Sequence, residues 1–406
     1  MPILSILALS LALRLIWILS IPVNPVSDSE AYRTLATNIV VHGVYGWAPG
    51  EPGAYWAVGP AAIYAAGYFL FGVDSALGIV LPNTLSSLAI TWFLFDLGRR
   101  WFDPRVGLTA AFLFSIWPLS IQFSTVLASE LHFMAFSLAA LAAWDRVGFN
   151  LGGLFFLLLS GLAFGAATYV RPIALLMPAA LALAALIRAP RTSWTDLVKA
   201  AVTTALIFAL VAPWSARNER VFGDPVFMST NFWANFWMGN NPETEGTYMP
   251  LPEAVKGVSE IERSDYLKKI SLTYLEAEPA AFVLRTLWKS LRLHERETIG
   301  VAWNEGELKN LVGDLGLTII KLVSTGYWYL MLAAAFVGII VLARGALGQP
   351  GQGWRVIVDP TVWLWLYFTG VHAVIVVGDR YHMPAIPLIA LLAAVAFTQL
   401  SRRKTQ

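Results

Sequence analysis

Residues 27–46 read SDSEAYRTLATNIVVHGVYG, and they follow directly on an apolar run at residues 2–22. Two acids, Asp28 and Glu30, therefore lie where a first helix would leave a bilayer. Taken alone they read as caps of a short helix at 29–40, because Asp is a preferred N-cap residue. A carboxylate at a bilayer edge, with Tyr32 one turn further on, is also a place for a base that activates a hydroxyl. Local sequence favours the cap; the rest of the chain shifts the balance toward the base.

Hydrophobic residues make up 57% of the 406 residues and charged residues 13%, against about 25% charged in a soluble globular domain. The apolar residues come in long runs, so the expected class is an all-α polytopic membrane protein. The short alternating segments of a transmembrane barrel are missing. A net charge of +2 gives no sign of nucleic acid as a partner. There is no cysteine, hence no disulfide and no thiolate metal site. The first run lacks a basic n-region and an A-x-A site, so it reads as a retained helix and not a signal peptide.

About ten spans are expected, at 2–22, 78–97, 106–121, 131–147, 152–169, 172–188, 199–214, 318–343, 361–377 and 384–400. The 14-residue segment 59–72, GPAAIYAAGYFLFG, reads as interfacial or re-entrant because of its length. Leaving it out as a span puts Arg99, Arg100, Arg105, Arg146, Arg188, Arg191, Lys199, Arg344, Arg355, Arg402, Arg403 and Lys404 on one side. By the positive-inside rule that side is cytoplasmic, and with it both termini. The expected organisation is an N-terminal membrane module at 1–214 with a catalytic first outer loop at 23–77, an outer-face loop domain at 215–317, and C-terminal helices at 318–406. The loop domain should hold helices at 259–277 and 279–296; the second mixes Arg and Lys with Leu and Trp in a pattern that suits a membrane-surface helix as well as a charged face packed on the bundle. The run GQPGQG at 348–353 reads as a cytoplasmic turn.

No phosphate-binding glycine loop, dinucleotide fingerprint, H-E-x-x-H or nucleophile elbow is present. The cytoplasmic loops are too short for a nucleotide-binding domain, so an activated donor must come from the membrane or the outer face. Polar groups gather on that outer face: Asp28, Glu30, Glu130 and Asp379, with Arg33, Arg171, Arg217, Arg220 and Arg380, and Asn218, Asn231, Asn235, Asn240 and Asn241. Glu130 opens an apolar helix, where the macrodipole alone would favour an acid. Arg171 is the sole charge between two spans, a functional-site signal by default although snorkelling is the plainer account. A carboxylate that takes a hydroxyl proton, beside arginines that hold a departing phosphate, describes glycosyl transfer from a lipid-phosphate sugar.

The pattern Asp28-x-x-x-Tyr32-x-x-x-Ala36 followed by HGVYG resembles the first outer loop of GT-C type membrane glycosyltransferases, and more specifically the bacterial branch of the protein O-mannosyltransferase and lipid A aminoarabinose transferase superfamily. Further segments are similar in the same order: GLAFGAATYVRP (161–172), APWSARNERVFGDPVFMSTNFWANFWMGNNP (212–242) and GDRYHMPAIPLIALL (378–392). The likeness covers roughly residues 10–400. It implies a GT-C fold and inverting transfer, on the outer face, from a polyprenyl-phosphate monosaccharide to a lipid, glycan or protein acceptor. It further implies Asp28 as catalytic acid–base group, Glu130 as second carboxylate, and Arg171, Arg217 and Arg380 near the donor phosphate. Glu30, Tyr32, Asn218, Asn240, Tyr381 and His382 complete the expected substrate-binding set. The family's Asp-Glu pair is here Asp28-Ser29-Glu30, which leaves open which acid is the base. Relatives differ in their use of a divalent cation, and two acids leave that open as well. The competing class is a transporter or flippase of a polyprenyl-linked sugar; it would need charges along a path through the bilayer, where Arg14 is the main one.

Overall fold

The structure is a computed structural model that describes residues 2–148, 150–189, 194–347 and 353–403. Arg191, Lys404, the side chains of Arg402 and Arg403, and the expected turn at 348–353 apart from Gly353 lie outside the described residues. The helices run α1 (Ile3–Ser20), α2 (Asp28–His42), α3 (Val58–Phe71), α4 (Ala76–Trp101), α5 (Pro104–Ser115), α6 (Pro118–Gln122), α7 (Glu130–Trp144), α8 (Leu151–Val170), α9 (Met177–Arg188) and α10 (Trp194–Phe222). Then come α11 (Phe232–Asn240), α12 (Glu260–Ala277), α13 (Pro279–Arg292), α14 (Ile299–Ala302), α15 (Glu305–Leu347), α16 (Pro360–Val374) and α17 (Ile386–Arg403).

Every segment expected to span is helical, and the fold is nearly all helix. Among the described residues, five helices are long and apolar enough to cross a membrane, or six if the bent pair at 104–125 counts as one. The chain is thus an integral membrane protein. The shorter apolar helices include α3 and α7. Helix α7 is buried along almost its whole length, as is α17 from Ile386 to Ala396. An apolar helix enclosed by other helices meets protein at its ends, so it needs no full bilayer thickness. The outer helices α1, α8, α10 and α15 instead expose Leu4, Leu19, Leu151, Phe208 and Leu322.

Helix ends follow sequence chemistry. The α2 helix stops at Gly43, which takes a left-handed conformation (φ 65°) and returns its N–H to Ile39. The pair α5–α6 bends by 55° ahead of Pro118. Arg14, fully buried within α1, donates to the Ser115 carbonyl freed by that break (3.3 Å) and to Ser10 and Ser120 hydroxyls at 2.8 and 3.0 Å. The expected boundaries at 214/215 and 317/318 fall inside helices, since α10 continues to Phe222 and α15 starts at Glu305. At these points hydropathy drops while helix-forming residues continue, so the drop marks a change of surroundings and not the end of a helix. A break inside α15 at Gly313 (φ 67°) separates its polar first turns from its apolar length.

Each end of α7 lies beside a network of arginines and carboxylates. Asp96 near the end of α4 binds Arg99, Arg100 and Arg146 at 2.8–2.9 Å, and Arg100 also pairs with Asp145 after α7. Glu130 sits at the other end of α7.

Candidate active site

The site is built where three chain breaks meet: the start of α2, the start of α7 and the loop before α17. Asp28 is the first residue of α2, and Ser27 before it has φ 52° and ψ −125°, a conformation rare outside glycine. Ser29 is buried and its hydroxyl donates to the Leu127 carbonyl at 3.0 Å, tying α2 to the segment before α7. That segment is fixed from the other side. Asn83 Nδ2 donates to the carbonyls of Phe123, Ser124 and Val126 at 3.0–3.2 Å, and the Ala128 N–H donates to the Tyr64 hydroxyl at 2.8 Å. Consecutive helical residues diverge by 100°. Asp28 therefore faces the site, Ser29 the protein, and Glu30 the outside, where Arg33 holds it at 2.7 Å and reaches Asp74 as well.

Four charges form a continuous chain. Arg380 pairs with Asp28 through Nη2 and stands 3.8 Å from Glu130 through Nη1. Arg171 Nη2 donates to the same Glu130 oxygen at 2.7 Å, and its Nε donates to Ser129 Oγ at 2.9 Å. Glu130 is fully buried, whereas the Asp28 side chain keeps 27% of its exposure. Two atoms are left over. Arg171 Nη1 is buried without a hydrogen-bond partner, and no group among the described residues bonds to Asp28 Oδ1. An unfilled guanidinium nitrogen beside a second guanidinium is what an anionic ligand would complete.

Aromatic rings line this cluster. The Arg380 guanidinium lies 4.8 Å from the Trp303 ring centre and 5.3 Å from that of Tyr381, and Arg171 lies 5.6 Å from Tyr381. Tyr381 in turn stacks on His372 at 5.4 Å. Tyr32, on the same face of α2 as Asp28, is nearly buried and packs on Trp56 at 4.9 Å.

The loop carrying Arg380 is anchored on both sides of that residue. Asp379 accepts from the Thr298 N–H at 2.7 Å and its hydroxyl at 2.5 Å. His382 donates from Nδ1 to the Leu293 carbonyl (3.1 Å), so its Nε2, 3.2 Å from Glu297, is the acceptor. Burial pushes the Glu297 carboxyl well above the usual range and holds the His382 imidazole down at about 4. Trp117 Nε1 donates to both Glu297 oxygens at 3.0 Å.

The remaining expected residues sit elsewhere. Arg217 donates to the carbonyls of Gly53 (2.8 Å) and Tyr45 (3.3 Å), fastening the first outer loop to α10. Asn218 is buried and donates to Val226. Asn240 donates to Phe236, Val374 and Ile375 and receives the Lys289 ammonium at 2.8 Å. The structure thus gathers Asp28, Glu130, Arg171, Arg380, Tyr32 and Tyr381, and places Glu30, Arg217, Asn218, Asn240 and His382 outside that cluster. Ser129 and Trp303 belong to it without having been singled out in the sequence. Both carboxylates are already engaged by guanidiniums, and the described residues hold no group of three or more acid, His or Cys side chains able to enclose a metal.

Residues 57–216 match the family model described as dolichyl-phosphate-mannose-protein mannosyltransferase. No curated protein matches the chain in sequence. Solved structures match in fold. The archaeal oligosaccharyltransferase AglB from Archaeoglobus fulgidus, in complex with an inhibitory peptide and a dolichol-phosphate, superposes with a TM-score of 0.57 at 15% identity, over 99% of this chain and 50% of that one. ArnT from Cupriavidus metallidurans in the apo state gives 0.58 at 14% identity, over 99% of this chain and 60% of that one. The chain therefore spans about half to three-fifths of the length of these structures. This chain has the GT-C fold of the membrane glycosyltransferases, and its residues 57–216 carry the protein mannosyltransferase family pattern.

Proposed function

We propose that the chain is an inverting glycosyltransferase that moves a monosaccharide from a polyprenyl-phosphate donor to an acceptor hydroxyl on the outer face of the membrane. The observation that carries this reading is the Asp28–Arg380–Glu130–Arg171 chain, with one arginine nitrogen unfilled and one aspartate oxygen unused. The donor phosphate lies against Arg171 and Arg380, which stabilise it as it leaves. Asp28 takes the proton from the acceptor hydroxyl. The acceptor oxygen then bonds to the anomeric carbon as that carbon's bond to the phosphate oxygen breaks, and polyprenyl phosphate departs with the electron pair. Attack from the side opposite the phosphate inverts the anomeric centre. Trp303 and Tyr381 hold the guanidiniums in place and offer apolar ring surface to the sugar. Acceptors of three kinds suit this chemistry: a lipid, a glycan or a protein.

The outer-face placement is supported by the bundle's polarity. The cluster lies at the opposite end of α7 from the Asp96 network, where Arg99, Arg100 and Arg146 gather and the positive-inside rule puts the cytoplasm. Transport without chemistry gains no support from Arg14, whose Nη atoms bond to hydroxyls and carbonyls of its own surroundings and which pairs with no carboxylate among the described residues.

The test is turnover. Purified protein in vesicles, given a polyprenyl-phosphate sugar and an acceptor extract, should release polyprenyl phosphate, and Asp28→Asn should abolish the release while remaining folded. Full turnover by that variant would remove Asp28 from the mechanism.

A further inference from the structure

A second basic cleft lies away from the Asp28 cluster, between α13 and the turn at 244–246. It encloses about 270 Å³ and is lined by Thr244, Glu245, Arg285, Trp288, Lys289 and Arg292. Arg285, Lys289 and Arg292 recur at helical spacing and face the turn together. Their existing partners differ. Arg292 holds the Glu245 carboxylate at 2.8 Å and the Glu245 carbonyl at 3.1 Å. Lys289, fully buried, donates to Asn240 and to the last carbonyls of α16 at 2.8–3.3 Å, with no carboxylate near it. Arg285 has no ion pair among the described residues, and its Nε is buried without a partner. Of these three basic side chains only Arg292 meets carboxylates among the described residues, Glu245 and, at 3.9 Å, Glu295. The cleft is held open by Gly246, at φ 90°, where a Cβ would lie 2.6 Å from the Lys289 stem.

The other face of α13 identifies the kind of ligand. Val283, Leu284, Leu287 and Leu291 are all more than half exposed there, and Trp288 borders the cleft. A helix with a basic side and an apolar side lies at a membrane interface, apolar side in the acyl region. A phosphate in the cleft would then sit at headgroup depth, with hydrocarbon against the adjoining leucines.

We propose that this cleft binds the phosphodiester headgroup of an anionic membrane lipid, through Arg285 and Arg292 and at a site separate from the Asp28–Arg171 cluster. The inference does not depend on the reaction assigned to that cluster. The experiment uses the full chain in phosphatidylcholine nanodiscs. Phosphatidylglycerol is titrated and followed by native mass spectrometry and thermal shift, with glycerol phosphate as the soluble control. Phosphatidylglycerol should bind at least tenfold more tightly than phosphatidylcholine. Arg285→Gln should lose that preference, Arg285→Lys should keep most of it, and Arg171→Gln should leave it unchanged. Circular dichroism checks that each variant is folded. Three results overturn the proposal: no preference for the anionic lipid, a preference that survives Arg285→Gln, or one that disappears in Arg171→Gln. Equal stabilisation by glycerol phosphate would also overturn it, by assigning the cleft to a soluble phosphate.

Discussion

Glu130→Gln tests how the site is balanced at rest. Glu130 is fully buried, 2.7 Å from Arg171 and 3.8 Å from Arg380. Removing one partner of a buried pair leaves its counterpart uncompensated at a cost of about 3–5 kcal/mol. Glutamine keeps an oxygen that can still accept from Arg171, so the lower end of that range, ~3 kcal/mol, applies. At ~2 °C per kcal/mol for a chain this long, the variant should melt roughly 6 °C below the wild type. The same change removes the anion with which a donor phosphate competes. Polyprenyl phosphate should therefore bind the variant about tenfold more tightly, equivalent to ~1.4 kcal/mol, and offset part of the melting deficit at saturating ligand. The assay is thermal unfolding in nanodiscs across a polyprenyl phosphate titration. A variant that melts with the wild type, or that binds polyprenyl phosphate more weakly, would refute the claim that Glu130 and the phosphate share the same guanidiniums.

Asp28→Asn should lower turnover by about 10²–10⁴-fold, the usual weight of a general base, while polyprenyl phosphate, followed by the same unfolding titration, should bind more tightly than to the wild type, because the change removes an anion that shares Arg380 with it. Asp379→Asn weakens the charge-assisted bonds from Thr298 that hold the loop ahead of Arg380. It should raise KM for the donor by roughly tenfold, corresponding to about 1.5 kcal/mol, with a smaller change in kcat; steady-state kinetics over donor concentration separates the two. Burial brings the Lys289 ammonium from an ordinary 10.5 down to about 7, so between these values the unfolded chain holds a proton that the folded chain does not. Stability should then rise with pH from about 7 to about 10 with a slope of up to ~1.4 kcal/mol per pH unit and be flat below, and Lys289→Met should remove that rise in melting temperature. A reporter fused at residue 230 should read as non-cytoplasmic; a cytoplasmic signal would reverse the assigned faces.

Much of the fold could be read directly, because runs of apolar residues have few alternatives to helices in a membrane. The helix ends could not. Past Trp214 the sequence turns polar while α10 goes on for two more turns, and composition alone does not distinguish a helix leaving lipid from a helix ending. The cluster was partly legible for a similar reason. Asp28, Glu130, Arg171 and Arg380 each stand at the edge of an apolar run, where a charge needs a partner. Arg217, Asn218 and Asn240 share that signature, but their partners are backbone carbonyls such as Gly53, Val226 and Val374. A polar side chain that holds a loop and one that holds a ligand look the same in one sequence. If α2 starts at Asp28, helical phase puts Asp28 with Tyr32 and turns Glu30 to the far side, which separates the two acids without coordinates. Trp303 had no such signal among 17 tryptophans.

Arg380 joins the two acids of the proposed site. Here a guanidinium stands between Asp28 and Glu130, covalently fixed and braced by Trp303 and Tyr381. An arginine is charged at every working pH, and its planar fork can serve two anions at once. A donor phosphate entering beside Arg171 does not have to recruit a counter-ion; it redistributes the pairing of cations already present. Each contact that the phosphate gains from Arg380 weakens the hold on Asp28 and frees that carboxylate to accept a proton. In the proposed reaction, donor binding and activation of the base are then one event, transmitted through a single side chain. The Asp379 and His382 anchors on either side of Arg380 would keep that side chain in register while its partners change.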